Sequence, residues 1–77
     1  MKPLYVYGLR ENVRYTLIRS PQWVSTRDML GRIGAHPMWS RRLRGWAVRT
    51  EHLGNVLAAA EAEGFRVVMR GALEEVS

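Results

Sequence analysis

Between Thr50 and Gly64 the sequence carries one helix more plainly than any other element, and that helix limits what the rest can be. Leu53, Val56, Leu57 and Ala60 follow the i, i+3, i+4, i+7 spacing of a single apolar stripe. Ala58, Ala59, Ala60 and Ala62 add propensity, Thr50 stands at an N-cap position and Gly64 offers a C-terminal stop. Short alternating runs flank it at 45–49 and 65–70. In the first, Trp46 and Val48 oppose Ala47 and Arg49. In the second, Phe65, Val67 and Met69 oppose Arg66, Val68 and Arg70. A strand, a helix and a strand on short links read as a parallel crossover of right-handed sense. One face of a sheet must therefore lie under this helix.

Two more strands are expected at 4–10 and 13–19. Tyrosines and β-branched residues suit a pleated surface, Glu11-Asn12 makes a hairpin turn, and Ser20-Pro21 ends the second run. A first, shorter helix is predicted from Ser25, with Ser25-x-x-Asp28 as its cap, Val24 and Met29 as a staple, and Gly34 as its stop. Met29, Leu30 and Ile33 give it a narrow apolar stripe. Residues 35–44 form a long connection in which Pro37 prevents the helix from continuing and a turn of helix or an irregular strand is open. The expectation is an α+β fold, ββαβαβ, with one four-stranded sheet and two helices on one face. It forms a single small domain over 1–77, with 71–77 a flexible acidic tail. The expected inner face is Leu4, Val6, Val13, Tyr15, Leu17, Trp46, Val48, Phe65, Val67 and Met69. A core this small is marginal, which leaves a homodimer open.

The period of two then sends Tyr5, Tyr7, Arg14, Thr16, Ala47, Arg49, Arg66, Val68 and Arg70 to the opposite face, with no third layer to cover them. Charge is unevenly placed along the chain. Residues 1–49 hold ten basic and two acidic side chains, a balance of +8; residues 50–77 hold two basic and five acidic, a balance of −3. Rings interleaved with guanidinium groups suit a single-stranded nucleic acid, the rings stacking on bases and the arginines holding phosphates. Candidate contacts are Tyr5, Tyr7, Arg14, Arg49, Arg66 and Arg70 on the sheet, with Arg41, Arg42 and Arg44 in the connection as a clamp. The same face could be merely solvated, its arginines covering its tyrosines, or it could meet a protein partner. Trp46 is expected in the core, Trp23 at its end, and Trp39 with Leu43 pinning the connection; for Arg41, Arg42 and Arg44 a backbone clamp and a solvated turn stay equally open.

Several chemistries lack their residues. With no cysteine there is no disulfide, thiolate metal site or cysteine nucleophile. His36 and His52 have no acidic or thiol companions at ligand spacing, and neither a phosphate-binding glycine loop nor a dinucleotide fingerprint occurs. No enzyme activity, metal or cofactor is expected. No apolar run approaches the roughly 20 residues of a membrane span and no secretory signal is read, so a cytoplasmic location is expected.

Residues 30–68 carry a short helix, a tryptophan, a basic turn, a second tryptophan opening a strand, a helix, and Gly-aromatic-x-Val. These are Leu30 to Ile33, Trp39, Ser40-Arg41-Arg42-Leu43-Arg44, Trp46-Ala47-Val48, the 51–63 helix and Gly64-Phe65-Arg66-Val67. The pattern resembles small actinobacterial and phage α/β modules and, more distantly, the HARP domain of annealing helicases. Ser-Arg-Arg stands where that pattern has an acidic-proline turn. The resemblance implies binding to DNA structures as an accessory without catalysis. Size and composition also resemble early-expressed phage proteins, many of which bind a host protein. That gives the alternative expectation of a protein-interaction module acting in a host cytoplasm.

Overall fold

The alternating runs become strands. In the computed structural model, which describes residues 2–73, they are β1 (Lys2–Leu9), β2 (Tyr15–Arg19), β3 (Met38–Ser40), β4 (Gly45–Arg49) and β5 (Phe65–Leu73). The helices are α1 (Trp23–Arg32) and α2 (Leu53–Ala62). One mixed sheet runs β3-β4-β2-β1-β5. β1 is antiparallel to β2 and parallel to β5, while β4 is antiparallel to β2 and β3. The fold is α+β with two helices, but the order is ββαββαβ and the sheet has five strands rather than four. The fifth is β3, inside the segment read as a connection. Its three residues are too few for periodicity to register, and it exists because 38–49 fold back as a hairpin.

Both helices pack on one face. Leu4, Val6, Ile18, Trp46, Val48 and Phe65 of the sheet meet Met29, Leu30, Val56 and Ala60 of the helices in one buried cluster. Leu4, Ile18, Met29, Leu30 and Val56 are fully buried, each contributing roughly 1.5–3 kcal/mol. β2 has the opposite phase to that expected. Thr16 and Ile18 face the helices, whereas Tyr15 and Leu17 face away. Both alternate sets of this strand are apolar enough to fill a core, so alternation alone does not choose the face. Cross-strand pairing does: Ile18 lies opposite both Val6 and Trp46. Val13 falls in the turn before β2 and is exposed, and Met69, at the middle of β5, is exposed as well.

Neither Ser25 nor Thr50 caps its helix. α1 starts two residues before Ser25, after a Ser20 turn in which the Gln22 amide donates to Ser20 Oγ, and Thr26 Oγ1 donates to the Gln22 carbonyl. Thr50 opens a 3-10 turn (Thr50–His52) ahead of α2. Its hydroxyl donates to the Val13 carbonyl and lies 3.0 Å from Thr16 Oγ1, tying the β1–β2 turn to the base of α2. Asn12 serves the expected turn through its side chain, which accepts from the Arg14 amide. β5 carries on through 71–73, part of the expected tail; residues 74–77 lie outside the described ones. Its register against β1 shifts between Val6 and Gly8, where Met69 and Ala72 are the partners, so one extra residue bulges from β5.

Gly45 fixes how β4 meets β2. A Cβ there would lie 2.9 Å from the Ile18 carbonyl oxygen and 2.9 Å from Leu17 Cγ. One contact is backbone and the other belongs to a fully buried side chain, so neither yields cheaply. Gly45→Ala is expected to destabilise the fold by about 1–3 kcal/mol, the range for overpacking. Urea denaturation beside Gly31→Ala, where a Cβ meets nothing within 4 Å, measures it.

Candidate functional site

The sheet face turned away from the helices is built by register. Pro3, Tyr5, Tyr7 and Leu9 alternate out of β1, and Tyr15, Leu17 and Arg19 out of β2. Met38 and Ser40 of β3, Gly45, Ala47 and Arg49 of β4, and Arg66, Val68 and Arg70 of β5 complete it. No carboxylate stands among these positions. The described acidic residues lie in turns or on the helical elements: Glu11, Asp28, Glu51, Glu61 and Glu63. Arg32 at the end of α1 pairs with Glu63, and that hydrogen bond holds its guanidinium above the ordinary arginine range.

This face is half covered rather than open. The turn 41–44 joins β3 to β4 and folds onto it, burying Leu43 against Leu9 and Leu17, with Tyr7 and Tyr15 packed alongside. Arg19 secures the turn: its Nε donates to the Leu43 carbonyl at 3.0 Å and its Nη2 donates to the same oxygen. The Arg19 guanidinium also lies 5.0 Å from the centre of the Tyr7 ring, and that of Arg70 lies 5.9 Å from the Tyr5 ring. Two tyrosines read as free stacking surfaces thus already carry arginines. Toward β5 the face is open, and Arg66 and Arg70 are exposed there without a carboxylate partner among the described residues.

The other expected residues divide. Arg14 lies in the turn before β2 and is not on the strand face, because β2 begins two residues later than expected and with the opposite phase. Arg49 faces outward but is paired with Glu51 at 3.1 Å. Arg42 is paired with Glu11 at 2.8 Å. Arg41 and Arg44 are exposed, and no described residue pairs with either. Arg44 adopts a φ of +53°, a left-handed conformation that costs an ordinary residue about 1–2 kcal/mol.

Those two arginines border a groove that sequence reasoning missed. Trp23 at the start of α1, Trp39 on β3, Trp46 on β4 and the two arginines line it, and its volume is about 640 Å³. The Trp39 and Trp46 rings meet edge to face with centroids 4.9 Å apart. Trp46 is buried in the core as expected, and its Nε1 has no hydrogen-bond acceptor among the described residues. Trp23 and Trp39 are about half exposed, at 52% and 47%. Neither closes the core as a plug. No spacing rule joins Trp23 to Trp39, since α1 and β3 come together only in the fold. The one legible sign was the symmetric placing of Trp39 and Trp46 about a basic turn ending in glycine.

Among the described residues no group of three or more potential metal ligands occurs, and no helix is long and apolar enough to cross a membrane. Comparison with family models, curated proteins and solved structures finds no match.

The Arg19 clamp has a measurable consequence. Replacing Arg19 with Met keeps the aliphatic stem but leaves the Leu43 carbonyl without its charged donor. A loss of about 1–3 kcal/mol is expected in chemical denaturation, with faster amide hydrogen exchange over 41–45.

Proposed function

We propose that this chain is a small non-catalytic module that binds nucleic acid, preferring single strands, through the outward sheet face and the adjoining turn 41–44. The observation that carries the reading is the composition of that face: Arg19, Arg49, Arg66 and Arg70 from three strands, and no acidic side chain in the same register. Glu11 and Glu51 reach this side only as the partners of Arg42 and Arg49. A sheet face with this excess of cations attracts a polyanion and lowers the cost of holding it there.

The division of labour differs from the one composition suggests. Arg66, Arg70, Arg41 and Arg44 are the phosphate contacts of this reading, because they are exposed and lack carboxylate partners among the described residues. Arg42 and Arg49 spend part of their charge on Glu11 and Glu51. Tyr7 supports the turn beneath Arg19, and Tyr5 offers its ring only if Arg70 swings aside to a phosphate. The preference for single strands rests on shape. A duplex reader presents a basic helix or ribbon to the major groove. Here α2 carries Glu61 and pairs no arginine row with it, and α1 mixes Arg27 and Arg32 with Asp28. A sheet face left open toward β5, with tyrosine rings beside its arginines, matches an unpaired strand instead.

Labelled single strands and duplexes titrated at several salt concentrations test this. Single-strand affinity is expected to fall as salt rises, with Arg66→Gln and Arg70→Gln each lowering the slope by about 0.7, the value for one phosphate contact on a single strand. No binding at low salt ends the reading and leaves the protein-interaction alternative.

A further inference from the structure

The tryptophan groove lies on the helix side of the sheet at its β3 border, across the 41–44 hairpin from the face proposed for the strand, and its walls have a chemistry of their own. Two half-exposed indoles, Trp23 and Trp39, supply apolar surface to the groove. Arg41 and Arg44 stand at the same groove and lack acidic partners among the described residues. Indole surface alone would suit a proline-rich peptide or a quaternary ammonium group. Two unpaired guanidinium groups repel the cation and have nothing to hold on a neutral peptide. Together, rings and cations call for a ligand that is aromatic or flat in one part and anionic in the next. The volume of about 640 Å³ falls within the span of roughly 300–1,000 Å³ common for small-molecule sites.

We propose that this groove takes one unstacked nucleobase together with its 5′-phosphate, the base against Trp23 and Trp39 and the phosphate on Arg41 and Arg44. This rests on the nucleic-acid reading and gives it a subsite: the backbone runs over the outward face, and one nucleotide turns at the 41–44 hairpin into the groove. The left-handed conformation of Arg44 fits this role. Glycine would make that turn without strain, and the residue present is one that brings a guanidinium to the groove lining.

The chain offers its own reporter, because all three of its tryptophans line this groove. Intrinsic tryptophan emission therefore follows groove occupancy, while the anisotropy of a labelled oligonucleotide follows binding as a whole. Adenosine 5′-monophosphate is expected to quench the emission saturably, adenosine more weakly, and inorganic phosphate not at all. Trp39→Ala should weaken mononucleotide binding roughly ten- to hundredfold, the loss from removing one stacking ring. Arg44→Gly removes the cation while relieving the backbone, so it should keep the fold, as judged by circular dichroism and thermal unfolding, and still weaken the mononucleotide several-fold.

Oligonucleotide binding by anisotropy with no change in emission, from the oligonucleotide or from millimolar mononucleotide, would overturn the groove assignment and leave the sheet-face reading standing. So would equal quenching by adenosine and its monophosphate, or quenching by a proline-rich peptide alone. Loss of oligonucleotide binding in Arg66→Gln/Arg70→Gln with mononucleotide quenching intact is the expected separation of the two sites.

Discussion

The hairpin between β3 and β4 rests on one close approach, that of Gly45 to β2. The absence of a Cβ lets the chain leave β4 directly over Leu17 and the Ile18 carbonyl. The turn then continues across the outward face of the sheet, where Leu43 and the Arg19 guanidinium hold it. Three consequences share this cause. The outward face acquires a small second core around Leu9, Leu17 and Leu43. Trp39 is carried against Trp46, which makes one wall of the groove. Arg41 and Arg44, though exposed, are brought into the lining of the groove.

The arginines divide by what already holds them. Arg19 is a structural residue: it bonds a carbonyl and covers a ring. Arg32, Arg42 and Arg49 are paired with carboxylates at the surface, where such pairs add little stability but consume charge that a ligand would otherwise meet. Arg41, Arg44, Arg66 and Arg70 are left with exposed guanidinium groups and no described carboxylate. They lie at the β3–β4 turn and on β5, toward opposite edges of the sheet, with the tyrosines between them.

The parts of the fold legible in the sequence are those with long periodic signals. α2 and β4, the existence of β1 and β5, and the packing of both helices on one face follow from apolar spacing. β3 is too short to show a period. The phase of β2 escapes for another reason: Tyr15 and Leu17 are as fit for a core as Thr16 and Ile18, and only the neighbours Val6 and Trp46 decide between them. Val13 and Met69 look like core residues by type but sit where the strand has not begun or the helices no longer reach. Of the candidate site, the outward Tyr5, Tyr7, Arg49, Arg66 and Arg70 follow from alternation. Arg14 does not, because its role depended on the misplaced start of β2. The groove was hidden altogether, being made by residues 23, 39, 41, 44 and 46 from segments that meet only after folding.

The extra residue in β5 bears on how this molecule meets others. β5 is one border of the sheet, and a flat run of nine residues with free amides and carbonyls would invite a neighbouring chain to zip onto it. The irregularity beyond Met69 breaks that run and bends its latter part away from a straight pairing line. At the opposite border β3 offers only three residues. Neither margin is a good template for strand addition, so association is directed to the broad surfaces, where side chains rather than backbone select the partner.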